Sequence, residues 1–170
     1  MAQFSGTMAE CFTHYNDQFR IKSDAVRKIC ETTGLKASTV FSWFFGKKPD
    51  APSGLRAIVL RYFLEDAGYL VAELKKLKTK GPEAYQLGRF VYAKRITIED
   101  IQKHVGYKNL SDVYNILHGR NGLVGARLIK ARDLVRLTER YNYGAQKKPV
   151  TEISREHEEH EEEKKHKNGN

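Results

Sequence analysis

Apolar residues recur along this chain at helical spacing. Met8, Cys11, Phe12, Tyr15 and Phe19 mark one face of segment 8–20, and its other face is polar. That pattern predicts a first amphipathic helix. A second helix opens at Lys22 or Ser23, carries Ile29 and Cys30 on its inner face and ends at Gly34. Glycine there enters the left-handed conformation without the clash a Cβ would bring. Leu35 follows as a buried turn residue. Ser38 or Thr39 can cap a third helix. Val40 and Trp43 lie on one stripe of that helix, and Gly46 stops it. After Pro49, residues 50–54 form a loop by composition. Segment 55–67 then aligns Leu55, Ile58, Val59, Tyr62 and Phe63. Gly68 ends or interrupts this helix, since Leu70, Leu74 and Leu77 carry helical spacing on through Tyr69 to Lys78. The clearest break is Thr79-Lys80-Gly81-Pro82, and Pro82 suits the first turn of a helix over 83–92.

The pattern then repeats. Thr97 and Asp100 form a capping-box pair, and Ile98, Ile101 and Val105 make an apolar face that Gly106 ends. Tyr107 stands where Leu35 stood, Val113 and Ile116 where Val40 and Trp43 stood, and Gly119 where Gly46 stood. Segment 123–141, with Leu128, Leu134, Val135 and Leu137, repeats the helix over 55–67. Gly34 and Gly106 are 72 positions apart, Gly46 and Gly119 73 apart, which suggests an internal duplication. The second copy has one extra residue in its turn, around Asn109-Leu110. It also carries Gln102 where the family that this pattern resembles has a small residue facing the next helix closely. The expected architecture is all-α: two similar helix–turn–helix domains, 1–80 and 81–148, and a charged tail 149–170 that lacks an apolar stripe and is expected to be solvated or disordered.

Charge sharpens this picture. The chain has 30 basic and 21 acidic residues. Residues 151–170 carry seven acids and four bases, so the preceding 150 carry a net +12, a plausible footprint for a polyanion. Residues 1–70 are at +2, 71–95 at +5 and 96–150 at +5. By charge, the second unit and its lead-in helix are the better DNA-facing region. Cys11 and Cys30 are too few for a disulfide scaffold and read as small core residues. There is no Walker-type loop, no HExxH and no paired-Cys zinc spacing, so an enzyme is not expected. His14, His104 and His118 read as surface or satisfied histidines. His157, His160 and His166 read as charged low complexity. Neither a signal peptide nor a membrane span is expected, and no cofactor, metal or small-molecule substrate is called for.

The string Ile29-Cys30, Gly34-Leu35, Ser38-Thr39-Val40, Trp43, Gly46-Lys47 and Pro49 resembles the lambda-repressor-like (Xre-type) helix-turn-helix family. The resemblance implies that the outward face of the third helix, Ala37, Ser38, Phe41 and Ser42, enters the DNA major groove. Lys36, Lys47 and Lys48 would hold phosphate. In the second unit the outward set is Lys108, Asn109, Ser111, Tyr114 and Asn115 with Asp112 among them, flanked by Arg120, Asn121 and Arg127. Asn can read adenine, and Arg can read guanine or hold phosphate. The expected function is sequence-specific binding of double-stranded DNA as a transcriptional repressor or regulator. The resemblance implies bacterial or bacteriophage regulation by a cytoplasmic, nucleoid-associated homodimer or higher homo-oligomer. The first unit crowds Phe41, Phe44 and Phe45 around Trp43. Phe41 serves either a thymine methyl or a protein partner. This keeps two alternatives open: a DNA-organising or partition adaptor in which one unit binds DNA and the other assembles protein, and a pure protein-interaction module.

Overall fold

A computed structural model describes residues 3–44 and 52–141; the Phe44 side chain lies outside that description. The described chain is mostly helical. Its elements run β1 (Ser5–Gly6), α1 (Met8–Asp17), α2 (Lys22–Thr33), α3 (Ala37–Phe44), α4 (Gly54–Asp66), β2 (Leu70–Val71), α5 (Ala72–Lys80), α6 (Pro82–Tyr92), α7 (Ile98–Val105), α8 (Leu110–Leu117) and α9 (Gly125–Arg140).

Helix α4 is the centre. It packs against α1 and α2 on one side and against α6 and α8 on the other. Its sequence explains why: Ala57, Ile58, Val59, Leu60, Tyr62, Phe63 and Leu64 are all buried, and a helix apolar nearly all round must be surrounded. Leu55, expected on that stripe, is exposed because it sits in the first turn, at the rim. One continuous apolar cluster runs from Cys11 through α4 to Leu134. Where α4 meets α6, the Tyr62 hydroxyl donates to the Tyr85 carbonyl at 2.8 Å, and Gly88 leaves room for the ring.

Three expected boundaries move. The first helix stops at Asp17 rather than Arg20, through the backbone bonds of Gln18 and Phe19 to Tyr15 and Asn16. The third begins at Ala37, so Ser38 and Thr39 lie inside its first turn; the Lys36 carbonyl opens the ladder by accepting from Thr39 and Val40. Helical spacing across Tyr69 to Lys78 is interrupted. Gly68 turns the chain at φ +96°, and Leu70–Val71 pairs in parallel with Ser5–Gly6 before α5 starts. Pairing with a segment 65 positions away leaves no local sequence trace.

Packing recurs along the chain. Helix α1 packs on α4 as α6 does on α9. Helix α2 packs on α3 as α7 does on α8, and α2 on α4 as α7 does on α9. Helices α4 and α9 each start on a glycine of positive φ, Gly54 at +56° and Gly125 at +58°.

Candidate nucleic-acid interface

Two helix–turn–helix corners emerge. In the first, Gly34 takes φ +73° and donates its N–H to Cys30 O. The buried Thr33 hydroxyl donates to Ile29 O at 2.6 Å and accepts from Leu35 N at 3.3 Å, which pins the turn. Val40 and Trp43 are buried, and Trp43 meets Phe12 edge to face at 6.0 Å. Lys36, Ala37 and Ser38 are exposed, Phe41 is exposed at 37%, and Ser42 is half-buried with its hydroxyl on Thr39 O. Lys47, Lys48, Gly46 and Phe45 lie outside the described residues, as does the segment 142–170 with His157, His160 and His166.

In the second corner the Thr97–Asp100 capping box is complete: Asp100 N donates to Thr97 Oγ1 at 3.1 Å, and Thr97 N to Asp100 Oδ2 at 2.9 Å. Gly106 takes φ +86°. Gln102, the residue that looked misplaced, donates its side-chain amide to Lys108 O at 2.9 Å. It thereby satisfies a carbonyl in the turn that carries the extra residue. The Arg127 guanidinium lies 4.5 Å from the centroid of the Tyr107 ring, a cation–π contact that ties the start of α9 to the turn.

The outward set of α8 splits in two. Lys108, Asn109 and Ser111 are exposed, and Asn109 occupies the N-cap position without spending its side chain on a cap. Asp112, Tyr114 and Asn115 are half-buried. Asn115 is engaged by the chain that follows α8: its carbonyl accepts from Arg120 N and Asn121 N, and its Oδ1 accepts from Arg120 Nη1 at 3.4 Å. Asn115 and Arg120 therefore act as one clasp, with Arg120 and Asn121 exposed beyond it.

Sequence reasoning missed Arg61. On α4 it reads as a polar-face residue, yet it reaches α8, with Nη1 2.8 Å from His118 Nδ1. A guanidinium can only donate, so Nδ1 must accept and the ring must be neutral. Burial first, then the positive Arg61 and Arg120, lowers the His118 pKa to about 4 from 6.5. Burial lowers the Arg61 pKa, and the negative charge of Glu73 on α5 opposes that shift. Because the folded pKa is depressed, acid favours the unfolded chain: this contribution is whole above about pH 6.5 and drains away as pH falls through about 4. Urea midpoints measured across that range should fall more steeply for the parent than for His118→Gln. Parallel curves would refute the contact. His14 is satisfied too, with Nδ1 2.9 Å from the Tyr69 hydroxyl and its ring stacked on Phe4, whereas His104 is exposed.

Cys11 and Cys30 are free thiols whose pKa values burial pushes up. A cleft of about 500 Å³ beside α6 is lined by Asp66, Lys78, Tyr85, Arg89, Phe90 and Arg95 among others. Two of its polar groups are already engaged: Arg89 on Asp66 at 2.9 Å, and the Tyr85 hydroxyl on Glu65. Among the described residues no group of three His, Cys, Asp or Glu could hold a metal ion, and no helix is long and apolar enough to cross a membrane. Compared with family models, curated proteins and solved structures, the chain matches none of them.

Proposed function

We propose that this protein binds double-stranded DNA sequence-specifically, as a transcriptional repressor or regulator of bacterial or bacteriophage type. In this reading it is a cytoplasmic, nucleoid-associated binding protein, not an enzyme, and acts as a homodimer or higher homo-oligomer. One observation carries the reading: a helix, a left-handed glycine and a second helix occur twice, and α8 leaves Lys108, Asn109 and Ser111 exposed at its start. The N-terminal residues of a recognition helix are those that meet base edges, and Asn109 is uncommitted to a cap. The recurrent packing of α1–α4 and α6–α9 favours an origin by tandem duplication.

A second reading draws on Phe41, exposed on α3 where α8 offers polar groups. It gives α3 to protein assembly and α8 to DNA, as in a DNA-organising or partition adaptor. The experiment is retention of fragmented genomic DNA on the purified full chain, followed by sequencing. Retained fragments that share a short site support the proposal. Failure to retain any duplex at low salt would remove it.

A further inference from the structure

Helix α5 carries charge that its packing does not use. From Glu73 it reads ELKKLKTK. Leu74 and Leu77 are buried. At 3.6 residues per turn, Lys75, Lys76, Lys78 and Lys80 fan across the arc facing away from them, and all four are exposed. Glu73 is turned elsewhere: its carboxylate accepts from Met8 N at 3.0 and 3.2 Å, at the start of α1. Among the described residues no ion pair engages any of the four lysines. Lys78 rests 5.0 Å from the centroid of Tyr85.

One side chain of this helix, Leu77, reaches the turn that follows α8. Gly119, in the left-handed conformation, would place a methyl group 3.4 Å from Leu77 Cδ1. The next residue is Arg120, of the clasp that closes α8.

We infer that α5 is a phosphate ledge, whose lysines hold the sugar–phosphate backbone of the same duplex that α8 reads. The inference rests on the DNA-binding reading of α8. Charge complementarity supports it: four exposed lysines that no ion pair among the described residues engages face a polyanion. Lys75 to Lys80 spans about 7.5 Å of helix axis, over which one duplex strand presents roughly two phosphates. An anionic membrane fits less well. Surface-seeking helices bury an apolar face in lipid, and the apolar face of α5 is spent on the core.

The test uses the full chain with Lys75→Gln, Lys76→Gln and Lys80→Gln together, keeping Lys78 over its ring. Binding to a retained genomic duplex is measured from low to moderate salt. Each lost phosphate contact should flatten the slope of log K against log salt by about 0.9, so the slope should shrink by about two to three with the preferred sequence unchanged. The matching triple Lys→Arg variant should keep the parental slope, which separates charge from folding. An unchanged slope and affinity in the Gln variant overturns the ledge and leaves the DNA reading standing. A parent that binds no duplex overturns both. Binding of the parent to phosphatidylserine vesicles, lost in the Gln variant while duplex binding is kept, assigns the lysines to lipid and overturns the ledge.

Discussion

Gly88→Ala should destabilise the fold by about 2–4 kcal/mol, a drop of roughly 5–15 °C in Tm for a chain of this size. An alanine in mid-helix ordinarily gains about 1 kcal/mol over glycine, so the expected sign is opposite to helix propensity. The reason lies at the seam between α6 and α4. A Cβ on Gly88 would run into the Tyr62 hydroxyl and stand 2.8 Å from Cε2 and Cζ of that ring. The ring has nowhere to retreat. Tyr62 is 1% exposed, lies between Tyr85 and Tyr92, and has Arg89 5.5 Å over its face. Moving it would also break the buried bond to Tyr85 O. Tyr62→Phe removes the atom in closest conflict, so the double variant should be less destabilised than the two single losses summed, by at least about 0.5 kcal/mol. Thermal and urea melts of the four proteins check this. If Gly88→Ala melts with the parent, the two halves of the chain meet less tightly than described.

What was legible in the sequence is what local chemistry decides. Gly34, Gly106 and the Thr97–Asp100 pair act within a few residues, so spacing alone placed them, and the all-α class followed from helical periodicity. What escaped was set by distant partners. Nothing near Leu70 announces Ser5, and nothing near Arg61 announces His118. The apolar richness of α4 was visible, but its meaning, a helix enclosed on both sides, needed the neighbours. At the candidate interface, identity was a weaker guide than engagement. Asn115 and Asn109 have the same chemistry, but one is tied to Arg120 and the other is not. Gln102 looked like a defect until the Lys108 carbonyl it serves was in view.

That difference in engagement directs the sharpest binding experiment. Lys108→Ala, Asn109→Ala and Ser111→Ala together should lower affinity for the preferred site by between about thirty-fold and twenty-thousand-fold, taking two lost base contacts at roughly 1–3 kcal/mol each. The fold should survive, because all three side chains are exposed and Asn109 makes no capping bond. Asn115→Ala is a different case: it removes the side-chain bond from Arg120 to Asn115 Oδ1 as well as any base contact, while the backbone bonds from Arg120 and Asn121 to the Asn115 carbonyl remain. Phe41→Ala on α3 discriminates between the two readings of the first unit. An assembly role predicts a smaller particle by light scattering with the α8 footprint intact. A tandem reader predicts unchanged mass and the loss of one half-site of protection. Should the triple variant keep its full footprint while Phe41→Ala loses part of it, α3 is the reader. The corner that most resembles the lambda-repressor-like pattern would then outweigh the corner with the more polar face.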